Sequence, residues 1–125
     1  MWHRILLIAL AGAAGTLSRY GLSALVYRLA GGTFPWATLA VNVVGCFCFG
    51  LVWALGEGRG WMTPETRLIV LVGFMGAFTT FSTFAFETDG LMRTGRWLEA
   101  GGNIILQNVV GIAAVALGLL VGRPS

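Results

Sequence analysis

Apolar residues in this chain gather into four long runs separated by short polar stretches, and they do not alternate with polar ones. A helix that crosses a hydrocarbon layer needs about 20 mostly apolar residues. Ile5–Leu29, interrupted by Arg19, and Trp36–Leu55, Leu68–Phe86 and Ala100–Val121 meet that need; the second and fourth carry no charge. With their flanking turns they predict helices over residues 4–29, 36–55, 65–92 and 97–122 of a single transmembrane domain, 1–125. Between them lie Ala30–Pro35, Gly56–Pro64 and Asp89–Glu99, and Pro64 after Thr63 suits the first turn of the third helix. Trp2, Trp36, Trp53, Trp61 and Trp97 fall near the ends of the runs, where indole rings suit the headgroup level. Two helical hairpins are the simplest arrangement.

Composition supports that reading, with 57% hydrophobic and 10% charged residues against about 45–50% and 25% in soluble domains. The start, Met1-Trp-His-Arg4 followed by apolar residues and Ala11-Gly-Ala13, has some features of a cleavable signal peptide. Cleavage would leave three helices and nothing that reads as a soluble mature domain. Cys46 and Cys48, two apart on one helix, point to nearly opposite faces and read as small core residues. No nucleophile with a base is visible and His3 is the only histidine, so the chain does not read as an enzyme. Nothing in it calls for a nucleic-acid partner.

All eight basic residues are arginine. With the amino terminus on one side of a membrane, Arg4, Arg59, Arg67 and Arg123 lie toward that side and Arg19, Arg28, Arg93 and Arg96 toward the other. An excess of basic residues normally fixes orientation. Its absence favours insertion both ways up and an antiparallel dimer, since four helices are few to enclose a polar path.

Polar groups in lipid cost several kcal/mol unless satisfied, so they face a partner helix or a wet path. Thr38, Asn42, Gly45 and Phe49 form one stripe of the second helix, with Asn42 roughly 10 Å inside the apolar slab at 1.5 Å per residue. Asn42 needs a partner. In the fourth helix Asn103, Gln107 and Gly111 share a face, with Asn108 beside them; amides there commonly bond between helices. Gly12, Gly15, Gly45, Gly111, Gly118 and Gly122 allow close helix approach.

The third run holds Gly73-Phe-Met-Gly-Ala-Phe-Thr-Thr-Phe-Ser-Thr-Phe84. Two glycines and four small alcohols weaken helix preference at midspan, which predicts a break there. Carbonyls exposed by such a break must be buried or coordinate something, and transporters use them to hold cations. Phe81 and Phe84 project together, with Thr79, Ser82 and Thr83 from roughly the opposite side. Core packing of the rings and hydroxyl back-bonding to the preceding turn are the plainer readings of these residues.

Three segments together resemble the Fluc fluoride channels, also called CrcB proteins: Gly12-Ala-Ala-Gly-Thr-Leu-Ser-Arg-Tyr20, Thr38-Leu-Ala-Val-Asn-Val-Val-Gly45 and Gly73–Phe84. The resemblance covers essentially the whole chain. It implies an all-α membrane protein with four transmembrane helices, the third broken at midspan, in an antiparallel, dual-topology homodimer. Two narrow pores would pass fluoride passively out of a bacterial or archaeal cell across its plasma membrane, in contact with membrane lipid. By position, Phe81 and Phe84 correspond to the family's aromatic box and Asn42 to its pore-lining amide, with Ser82 and Thr83 beside the pore. Thr38, Asn103 and Gln107 are further pore candidates, and Arg19 and Glu87 correspond to vestibule residues. Gly76 and Thr79 correspond to residues whose backbone carbonyls, from both subunits, hold a structural Na⁺. Ala37 stands where relatives often have glycine.

Fluoride is small and tightly hydrated, so hydroxyl and amide hydrogens and the positive rims of phenylalanine rings would replace its water. The runner-up is a small dual-topology proton-coupled exporter of the multidrug type. It would want a midspan carboxylate in an early helix, and the first two runs have none.

Overall fold

The computed structural model describes residues 1–57, 60 and 62–124; Arg59 and Trp61, read above as a side marker and a boundary indole, lie outside the described residues. Among the described residues the chain is all helix: α1 (Trp2–Ala30), α2 (Trp36–Gly56), α3 (Pro64–Leu68), a π-helical stretch (Ile69–Met75), α4 (Gly76–Phe78), α5 (Phe81–Arg93) and α6 (Trp97–Gly122). Four spans, Trp2–Ala30, Trp36–Gly56, Pro64–Arg93 and Trp97–Gly122, are long and apolar enough to cross a membrane. The chain is a multi-pass membrane protein.

Local chemistry explains the ends. Gly31 closes α1 with φ 52°, a left-handed conformation that suits glycine, and its N–H donates to Tyr27 O. The Thr63 hydroxyl accepts from the Thr66 N–H at 3.1 Å, with Pro64 in the first turn of α3. His3 and Arg4 meet Glu65 at 3.3 and 3.2 Å, tying the beginnings of α1 and α3 together.

The tightest pairings are not the two sequential hairpins the short connections suggest. α2 packs most extensively on α6, and α1 on the π-helical stretch. Short connections make neighbouring spans antiparallel, so these dominant pairs run side by side in the same direction. Small residues are the cause. A Cβ on Gly15 would lie 2.3 Å from Phe74 O, and one on Gly118 2.2 Å from Phe47 O, so main chain meets main chain at both places. Gly12 and Gly111 make only ordinary contacts, at 3.8 and 3.6 Å. Val41, Leu71, Met75 and Phe78 form the buried centre, with Cys48 against it, while Cys46 faces Gly111 of α6.

Gly73 and Gly76 remain helical. The Gly76 N–H reaches back five residues to Leu71 O, so the winding widens there. Extended backbone comes later, at Thr79 (φ −86°, ψ 159°) and Thr80 (φ −149°, ψ 113°), between α4 and α5.

Candidate functional site

The hydroxyls around Thr79 and Thr80 first serve the backbone. Thr79 donates through both its N–H and its hydroxyl to Met75 O, each at 3.1 Å, closing the last turn of α4. Thr80 caps α5: its hydroxyl oxygen accepts from the Thr83 N–H at 3.2 Å, and its proton goes to Thr83 Oγ1 at 2.9 Å. Ser82 is exposed, 3.4 Å from Thr80 Oγ1.

The peptide groups of an interrupted helix also need partners, and Asn42 supplies them. Its Oδ1 accepts from the Thr80 N–H at 2.8 Å, and its Nδ2 donates to Thr80 O at 3.0 Å. The same Nδ2 donates to Gln107 Oε1 at 3.1 Å. Asn42 thus uses both amide hydrogens within the chain, and has the partner that its depth in the apolar run called for. Gln107 Nε2 donates to Asn103 Oδ1 at 3.5 Å, and Asn103 Nδ2 donates to Thr88 Oγ1 at 2.9 Å. Asn103 has no exposed surface and lies between α5 and α6. Gln107 keeps one hydrogen without a partner among the described residues.

Two grooves flank Thr80. The first, about 390 Å³, is lined by Asn42, Thr80, Phe81, Phe84, Gln107 and Asn108 together with small and apolar residues of α2 and α6. Phe81 is 78% exposed and Phe84 only 9%, and their rings pair edge-on with centroids 5.5 Å apart. The second groove, about 300 Å³, brings Arg19, Thr38, Thr80 and Thr83 together with Thr16, Tyr20 and Ser23. The pore candidates are divided, with the rings and Gln107 on one side of Thr80 and Thr38 and Thr83 on the other, where the vestibule candidate Arg19 also lies. This follows from helical spacing, since Phe81 and Phe84 leave α5 on one face and Thr83 on another. Glu87 lies apart from Arg19, in a cavity of about 550 Å³ between the α1–α2 connection and the end of α5, with Thr33, Thr94 and Arg96. One Glu87 carboxylate oxygen is buried there and accepts no hydrogen bond among the described residues. Gly76 is exposed; Thr79, half-buried, is the first residue of the extended pair and lines the first groove.

A family model described as CrcB-like protein, Camphor Resistance (CrcB), matches residues 6–119. The chain belongs to the CrcB family. It is 55% identical over 123 residues to the "Fluoride-specific ion channel FluC" of Nitrosococcus oceani, covering 98% of each chain. A protein of the same name from Solidesulfovibrio magneticus is 53% identical, again over 98% of each chain. That of Geotalea uraniireducens is 41% identical over 95% of this chain and 96% of its own.

Two residues of this CrcB chain escaped the reading of its sequence. Thr80 looked like one more alcohol and is the joint between both grooves; its place directly after Thr79 in a glycine-weakened stretch was the available signal. Thr88 is 5% exposed and bonds to both Asn103 and Phe84 O. It lies four residues after Phe84, on the same face of α5, and that spacing could have found it.

Proposed function

We propose that this chain is a fluoride-selective ion channel, one subunit of an antiparallel homodimer in the plasma membrane of a bacterium or archaeon, through which fluoride leaves the cell down its gradient. The observation that carries the reading is the first groove, where the Phe81 and Phe84 rings stand beside the unused Gln107 amide hydrogen. Relatives named as fluoride-specific channels over almost their full length support it.

In this reading the ion sheds water and takes hydrogens from the protein in exchange. Gln107 Nε2 is the amide donor, and Asn42 acts as the clamp that holds Gln107 and Thr80 in place. Aromatic rings are positive at the rim and negative on the face, so Phe81 and Phe84 meet the ion rim-first. Thr38, Ser82 and Thr83 offer hydroxyls beside the path, Asn103 backs Gln107, and Arg19 and Glu87 stand at the approaches. Narrowness excludes chloride, and the apolar walls exclude cations.

Dimerisation is supported by the cost of the groove itself. A polar groove bordered by a ring that is 78% exposed, open to hydrocarbon, would leave its amide hydrogen unsatisfied at several kcal/mol. A second, inverted copy covers it and builds two pores.

A structural Na⁺ at the centre belongs to the same proposal, held by the main-chain carbonyls of Gly76 and Thr79 from both subunits. In an uninterrupted helix Gly76 O would accept the Thr80 N–H. That N–H goes to Asn42 instead, so the Gly76 carbonyl loses its helical donor and fits a cation. The ion would neutralise the converging carbonyl dipoles and pin the two subunits together.

The test is release from liposomes loaded with fluoride or chloride, followed with an ion electrode. Fluoride release with chloride retained is expected; equal release of both, or of neither, sinks the channel reading. A terminal cysteine engineered for membrane-impermeant labelling should react from both sides of the cell membrane, and labelling from one side alone rules out dual insertion.

A further inference from the structure

The amide relay has a direction, and its two ends set it. At one end the Thr80 N–H can only donate, so Asn42 turns Oδ1 toward it and Nδ2 toward Gln107 Oε1. At the other end Phe84 O can only accept, so the Thr88 hydroxyl spends its single proton there at 2.8 Å and receives Asn103 Nδ2 on its oxygen. Asn103 must then present Oδ1 to Gln107 Nε2. Both ends demand the same orientation of Gln107: oxygen toward Asn42, nitrogen toward Asn103. A chain of four side chains is thereby polarised from two backbone groups, at its two ends, that belong to residues lining the first groove.

We infer that Thr88 is a positioning residue that fixes the orientation of the Gln107 amide and so keeps its spare hydrogen available to the anion. Thr88 touches no ion; it is 5% exposed and absent from the lining of the groove. Its hydroxyl acts by denying Asn103 the flipped orientation, in which Asn103 would offer Gln107 a nitrogen and the glutamine would have to put its oxygen where its nitrogen now stands. An oxygen in place of that donor repels an anion. The inference rests on the proposed fluoride pathway, which it deepens by naming what holds the donor in register.

The experiment compares fluoride efflux from liposomes for the unchanged protein, Thr88→Val, Thr88→Ser, Gln107→Met and the Thr88→Val/Gln107→Met pair. Thr88→Val should lower the flux about tenfold, equal to about 1.4 kcal/mol of barrier. Thr88→Ser, which keeps the hydroxyl, should restore it, and the pair should lose no more than Gln107→Met alone. Thr88→Val/Asn103→Leu guards against a purely structural role, because removing both polar partners relieves the buried unpaired amide. That pair should recover thermal stability while its flux stays low. Flux that returns together with stability, Thr88→Val that conducts like the unchanged protein, or losses that multiply in the Gln107 pair would each overturn the inference while leaving the channel intact. An unchanged protein that passes no fluoride overturns both.

Discussion

α2 and α6 meet twice, and the two meetings differ in kind. Toward their later turns the contact is dry and made by backbone: a Cβ on Gly50 would lie 2.3 Å from Val115 O, and one on Gly118 2.2 Å from Phe47 O. Earlier along both helices Asn42 and Gln107 join across a hydrogen bond of 3.1 Å, beside the groove with its two rings. One helix pair thus carries a seam and a site. Small residues draw the backbones together at one end, and at the other an amide hydrogen bond joins the helices beside the groove of the proposed path.

The seam should break most completely. Gly118→Val forces two backbones apart and should cost at least the ~1–3 kcal/mol of an overpacked core. It should appear as loss of the monodisperse peak in size-exclusion chromatography. Gly111→Ala sharpens the contrast: its nearest neighbour, Cys46 Sγ, is 3.6 Å from the added Cβ, and melting should shift by less than about 0.5 kcal/mol.

At the site, Asn42→Leu leaves the half-buried Thr80 N–H and C=O without these partners, at up to the ~1–3 kcal/mol of a buried unsatisfied group for each. Thermal melting in detergent should fall and fluoride flux should vanish with it. Phe81→Ile and Phe84→Ile should separate the two properties. Each should lower flux about tenfold or more, about 1.4 kcal/mol of barrier. Phe81, at 78% exposure, can be changed with little loss of stability, whereas Phe84, at 9%, also loses core packing. Unchanged flux in both would mean the rings only pack.

The smallest effect belongs to Asn108→Ala. Asn108 is exposed and donates to Ile104 O of its own helix at 2.8 Å, so flux should stay within about twofold, ~0.4 kcal/mol. A loss as large as that of Gln107→Met would move the donor role from one amide to the other.

The four spans were legible because the apolar runs are long and their ends carry turn residues and indoles. The need of Asn42 for a partner was legible too, since a lone amide so deep in an apolar run has nowhere to hide. Its actual partner was not: a break at midspan was expected, but that the Thr80 peptide is the one left for Asn42 depends on helix hydrogen bonding lapsing after Thr79, a position that side-chain spacing does not report. The widened turn at Ile69–Met75 was hidden for the same reason. The side-by-side pairing of α2 with α6 depends on which glycine rows face each other, and one chain's pattern leaves several rows equally suitable. The spacing of Thr88 from Phe84 places it on the same face of α5, but its partner Asn103 becomes visible only where α6 approaches.

Selective conduction is the claim on which the rest depends, and a planar bilayer tests it most directly. With fluoride on one side and an equal concentration of chloride on the other, the current through the reconstituted protein should reverse far from zero voltage, in the direction set by fluoride. A reversal potential near zero, with current flowing, would contradict the account.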